Sequence, residues 1–281
     1  MNRQRNEESA LLEAAGAAER SGNHAAAFDA WQHLASMTSR PDYFCKAGRI
    51  AQKLGRWTDS EAAFLDALGV DKTFSLALVG LGSLFLTRTD RDPWTNARTA
   101  KAWLEQAVAA APSPIPLSFL GDAHNRLGDK KSAREAFGKA IELDETYAEA
   151  YLNLGLLLAD DGQSEEAERL LRTATQLTPN SHKAHGGLGI VLQQLGRYSE
   201  AEAELRRAIE IDPTDAIANF YINRVAGGAD AKGTVKAAIV DEGVCPSWCK
   251  IYSTHNARTG SSLGDVVSVQ NGGRIRMRPP S

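Results

Sequence analysis

Glycine returns at a nearly fixed interval along most of this chain. Gly48, Gly82, Gly121, Gly155 and Gly189 lie 34, 39, 34 and 34 residues apart. Ala133, Ala167 and Ala201 keep the step of 34, as do Ala140, Ala174 and Ala208, and Pro179 and Pro213. A second glycine series, Gly55, Gly128, Gly162 and Gly196, follows the first by seven residues. Self-similarity at a period of this size predicts a stack of like units, each contacting only its neighbours, rather than one closed core. Six units fit the register, at 8–40, 41–74, 75–113, 114–147, 148–181 and 182–215, and residues 216–226 begin a further helix.

Ala, Leu, Glu and Arg dominate residues 8–226, and these are helix formers. In unit 148–181, Tyr151, Leu154, Gly155 and Leu158 recur at helical spacing, and so do Ala167, Leu170, Leu171, Ala174 and Leu177. Asp160-Asp161-Gly162-Gln163-Ser164 between them is a polar turn, with glycine where a left-handed cap is needed. Each unit therefore reads as two short amphipathic helices. The third unit holds roughly six extra residues around Arg88 to Thr95, judged against the repeat length. Asp92-Pro93 there predicts an N-cap followed by proline at the first helical position, so its second helix starts early and runs from Pro93 to about Ala110. The insertion is either a tolerated surface loop or a ledge for a partner with Trp94 as an anchor.

On these residues the chain resembles the tetratricopeptide repeat (TPR) family. Against the family's sequence of a large residue, Leu-Gly, an aromatic, Ala, an aromatic or large residue, Ala and Pro, this chain supplies Tyr151, Leu154-Gly155, Leu158, Ala167, Leu171, Ala174 and Pro179. The next unit supplies His185, Leu188-Gly189, Leu192, Ala201, Leu205, Ala208 and Pro213. The first unit departs most, with Ala14-Ala15 in place of Leu-Gly. The resemblance implies an all-α solenoid of helix–turn–helix units over 1–226 and a non-enzymatic adaptor or scaffold. A protein partner's peptide or helix would occupy the concave groove, with no cofactor.

In the family the second, fifth, sixth and ninth residues of each unit face that groove. Here they give two surfaces. In the second unit Cys45, Lys46 and Arg49, with Lys53 a turn further on, form a small basic patch. In the fifth and sixth units and the following helix, Leu152, Leu156, Gly186, Gly187, Ile190, Phe220 and Tyr221 form an apolar floor, joined by Asn153 and Lys183. The family's carboxylate-clamping subgroup is matched only in fragments. Asn153 and Lys183 fit, but Ser118 and Asp122 stand where Lys and Asn are needed and Gly187 where Arg is needed, so a clamp of that kind is rejected.

Composition changes near Gly227-Gly228. Residues 227–281 carry seven Lys or Arg and four Asp or Glu, so +3 of the chain's net −3 lies there and −6 in the remainder. β-Branched runs and the turn Asn271-Gly272-Gly273 predict a small β-rich C-terminal segment of about four short strands. Cys245 and Cys249 are separated by three residues rather than the two of a thioredoxin-type pair, and only His255 is near them as a metal ligand, short of the four of a zinc site. An enzyme or metal-binding protein with its chemistry around that pair is the alternative reading, and nucleic-acid binding through Arg274, Arg276 and Arg278 is the other. The overall net charge of −3 disfavours nucleic acid. No run approaches 18 apolar residues, no secretory leader is apparent at the N-terminus, and three cysteines are too few for a disulfide framework, so a cytoplasmic protein with no membrane span is expected. The oligomeric state is open.

Overall fold

The structure is a computed structural model and describes residues 2–226, all of which fall within one compact unit of the chain. Among the described residues there are thirteen helices and no strand. They are α1 (Asn2–Arg20), α2 (His24–Thr38), α3 (Pro41–Lys53), α4 (Trp57–Val70), α5 (Ser75–Thr87), α6 (Pro93–Ala110) and α7 (Pro114–Arg126). α8 (Lys130–Leu143), α9 (Ala148–Asp160), α10 (Ser164–Leu177), α11 (His182–Gln194), α12 (Tyr198–Ile211) and α13 (Ala216–Ala226) follow. The segment 227–281, expected to be β-rich, with Cys245, Cys249, His255 and the arginines at 274, 276 and 278, lies outside the described residues.

Each helix packs on the next, so α1–α2 through α11–α12 are hairpins and α13 follows alone among the described residues. From α3 onward each odd-numbered helix also touches the next odd-numbered one, and the even-numbered helices make no comparable contact. The odd helices thus form one continuous, closely spaced layer, with the even helices backing it. In a curved stack the closely spaced layer is the inner one.

Glycine sets how near the two helices of a hairpin come. A Cβ at Gly121 would sit 2.5 Å from the Phe137 ring, at Gly155 2.8 Å from Leu171 Cγ, and at Gly189 2.7 Å from Leu205 Cγ. In each case the large side chain follows its glycine by 16 residues, as Phe64 follows Gly48. In α5–α6 the partner of Gly82 is Leu104, 22 residues on, with Cγ 2.4 Å from the position of a Cβ. The extra residues have been absorbed without changing the contact. Phe64 and Leu171 also reach the next hairpin: Phe64 fills the place of a Cβ at Gly80, 2.3 Å away, and Leu171 lies 3.2 Å from that of Gly187. Phe64, Phe137, Leu171 and Leu205 are buried, each contributing about 2 kcal/mol by leaving water.

Gly162, between α9 and α10, has φ +76, the left-handed turn that its sequence context predicts. The α5–α6 connection has no such glycine. Its loop is held by Arg88, whose side chain is 1% exposed. Arg88 donates to Glu61 Oε2 at 2.7 Å and, through Nε and Nη2, to both carboxylate oxygens of Asp90 at 2.8 Å. Hydrogen bonding by Arg88 holds the Asp90 carboxyl below the usual carboxylate range. As expected, α6 begins at Pro93, ends at Ala110 and is capped by Asp92, which accepts from the Thr95 amide at 2.8 Å. That amide, with the Thr95 hydroxyl, also lowers the Asp92 pKa.

A smaller motif ends α4, α8 and α12. Asp71, Asp144 and Asp212 each accept from the amide and hydroxyl of the threonine two residues on: Thr73, Thr146 and Thr214. The Asp–x–Thr spacing is plain in the sequence, and sequence reasoning passed over it.

Candidate interaction surface

Cross-links between successive odd helices define the inner face. Gln52 Nε2 on α3 donates to Thr87 Oγ1 on α5 at 2.8 Å and to Ser83 Oγ at 3.3 Å. Asn153 Nδ2 on α9 donates to Ser118 Oγ on α7 at 3.2 Å. Leu156 on α9 lies against Gly187 on α11, with Cδ2 3.1 Å from where a Cβ would stand. These contacts fix which turns of each helix share the inner surface.

Lys46 and Arg49 are exposed on α3, with Lys53 a turn on. Lys46 Nζ rests 3.9 Å from the centroid of the Trp31 ring, a cation–π contact. Among the described residues none of these three cations is paired with a carboxylate. Elsewhere arginines are taken up: Arg126 by Asp122, Arg172 and Arg197 by Glu168 and Glu200, and Arg206 by Glu202. Cys45 is buried, so it offers no surface, and burial, then Asp42, pushes its thiol up to about 12. A thiol so far above neutrality carries no nucleophilic chemistry.

At the other end the expected floor is only partly present. Leu156 is 38% exposed, Ile190 is half-buried and Lys183 is exposed. Phe220 and Tyr221 are half-buried on α13, their rings edge-to-face at 5.3 Å with Arg224 near both. Leu152 requires a correction. It is 4% exposed and belongs to the core, because Gly187 lets α11 come close enough to cover it. Asn153 is half-buried and spends its amide on Ser118, so it ties α9 to α7 rather than standing free. The structure places Lys46 and Arg49 on α3 and the apolar group on α9, α11 and α13, with α5 and α7 between them.

Those two intervening helices carry residues that sequence reasoning missed. Leu76 on α5 is 63% exposed and Ile115 on α7 is 49% exposed, with half-buried Val79 and Phe119 beside them. The signal was available: Leu76 and Ile115 are the second residues of their units, Val79 a fifth and Phe119 a sixth. Trp94, considered as an anchor, is 41% exposed at the start of α6, in the outer layer.

No group of three or more His, Cys, Asp or Glu among the described residues is arranged to hold a metal ion. The histidines of α11 reach α12 and the connections that precede α11 and α13. His182 Nδ1 lies 2.8 Å from Asp215 Oδ2, and His185 lies 2.7 Å from Glu204 Oε2 and 3.0 Å from the Pro179 carbonyl. No described helix is long and apolar enough to cross a membrane.

A tetratricopeptide repeat model matches residues 152–216, and a TPR repeat model matches residues 121–162. No curated protein matches the chain. The chain is similar to a solved structure of the APC/C hetero-tetramer Cut9–Hcn1, with 16% identity and a TM-score of 0.64, over 79% of this chain and 47% of that one. It therefore spans about half of that relative. It is similar to pilF of Pseudomonas aeruginosa at 13% identity and a TM-score of 0.61, over 79% of this chain and 99% of that one. YrrB, described as a TPR protein with an unusual peptide-binding site, is 20% identical over 69% of this chain and 97% of its own, with a TM-score of 0.47.

Proposed function

Because the chain belongs to the tetratricopeptide repeat proteins, we propose that it is a non-catalytic scaffold that holds a peptide or helix of a protein partner along its inner helical layer. The solenoid is taken as residues 1–226, in units at 8–40, 41–74, 75–113, 114–147, 148–181 and 182–215, with 227–281 a separate segment. The partner surface consists of Lys46, Arg49, Leu156, Lys183, Ile190, Phe220 and Tyr221, extended by Leu76 and Ile115, and the protein works in the cytoplasm without a cofactor. The observation that carries this reading is the exposure of an apolar side chain on each of three successive helices of the inner layer, Leu76, Ile115 and Leu156. A run of apolar surface on one face of a repeat array marks an interaction site.

Replacing Leu156 and Ile190 together by Glu tests it. The double variant is expected to keep its helical circular dichroism and lose at least tenfold in affinity for partner peptides selected on the wild-type chain. A variant that unfolds would make both residues core. One that folds and binds normally would remove them from the surface.

A further inference from the structure

We infer that the occupant of the inner face is an acidic-ended segment of a protein partner: carboxylates set against Lys46, Arg49 and Lys53, followed by apolar side chains running toward α9. The inference rests on the groove reading above and gives that groove a polarity and a ligand chemistry.

The charge pattern of the inner helices carries the argument. Lys46, Arg49 and Lys53 stand at i, i+3 and i+7 on α3, which puts them on one stripe of that helix. All three are exposed, and none has a carboxylate partner among the described residues. From α3 to α9 three of the four carboxylates on the odd-numbered helices are committed elsewhere. Asp42 is bound by Arg40 at 3.0 Å, Asp122 by Arg126 at 3.1 Å, and Asp160 by Lys130 at 2.6 Å. Further on, Glu149 and Lys183 are exposed with opposite signs. On the odd-numbered helices from α3 to α9 the cations without a carboxylate partner are therefore all on α3.

Next to that stripe the surface becomes apolar. The Gln52 contacts with Ser83 and Thr87 seat α3 against α5, whose Leu76 and Val79 are followed by Ile115 and Phe119 on α7 and Leu156 on α9. Neighbouring helices lie about 10 Å apart, so α3 to α9 spans about 30 Å. An extended chain covers that in about nine residues. A nucleic acid would meet the same three cations but would set its backbone charge over the apolar stretch. The observations favour protein.

The test is selection of random 12-residue peptides on the full-length chain, followed by affinity measurement of one enriched peptide by fluorescence anisotropy. Enriched peptides should concentrate Asp and Glu at one end and apolar residues in the rest. Lys46, Arg49 and Lys53 replaced together by Ala should weaken the enriched peptide about tenfold, the sum of three partly exposed pairs, and raised salt should weaken the wild type similarly. Because Lys46 stacks on Trp31, the Arg49→Ala, Lys53→Ala pair serves as a second variant that leaves this contact intact, with a smaller loss of the same kind. Enrichment of neutral or basic peptides that bind the triple variant unchanged would overturn the acidic class while leaving the groove reading in place. Displacement of the enriched peptide by a single-stranded oligonucleotide of equal charge at equal concentration would replace a peptide site by a general anion site. No enrichment of any class would sink the groove reading and this inference with it.

Discussion

The third and fifth hairpins solve one packing problem with two different connections. In α9–α10 the chain reverses through Gly162 in the left-handed region, and Gly155 receives Leu171. In α5–α6 the turn glycine is missing, the connection runs from Arg88 to Asp92, and Gly82 still receives a leucine, Leu104. The contact between the helices has been kept while the turn has been replaced. The repeat is therefore defined by its glycine-to-large-residue contact, and a connection is acceptable if it delivers the second helix to that contact. The regular turn does so by backbone conformation, the longer one by ion pairs to a buried guanidinium.

Four substitutions separate these devices. Arg88→Ala should have the largest effect, about 3 kcal/mol of unfolding free energy, because it strips a buried charge partner from Glu61 and frees the loop. Denaturant unfolding measures it, and a loss below about 1 kcal/mol would mean that the α5–α6 loop does not depend on Arg88. Gly82→Ala comes next at about 2 kcal/mol, since the new methyl would lie 2.4 Å from Leu104 Cγ, and the gain in helix propensity offsets only about 1 kcal/mol of the clash. Gly155→Ala, with Leu171 Cγ at 2.8 Å, should cost less, and the order of the two melting temperatures decides whether the contact is tighter in the irregular hairpin. Gly162→Ala should cost about 1 kcal/mol by placing a Cβ in a left-handed turn. If Gly162→Ala were instead the most damaging of the set, the backbone turn rather than the interhelical contact would hold the regular hairpin.

Local signals were readable from the sequence, and packing across units was not. Helical spacing, the turn glycine at Gly162 and the Asp92-Pro93 start of α6 depend on neighbouring residues, and periodicity and capping chemistry reveal them. Arg88 meets Glu61 across 27 residues, so no local pattern shows that this arginine is buried rather than part of a solvated charged turn. Leu152 failed for a similar reason. Its place in the unit suggests exposure, and only the absence of a side chain at Gly187, one unit away, lets it be covered. Leu76 and Ile115 were legible by the rule applied to other units.

Phe64 acts beyond its own hairpin. Its ring fills the space that a side chain would need at both Gly48 and Gly80, so one residue closes α3 on α4 and also seats α5 against the pair. In a linear array, stability divides into what each unit contributes alone and what each junction contributes. A side chain shared between a unit and the next junction merges those two quantities. The second and third hairpins are consequently coupled through this ring, alongside the other buried side chains of their shared cluster.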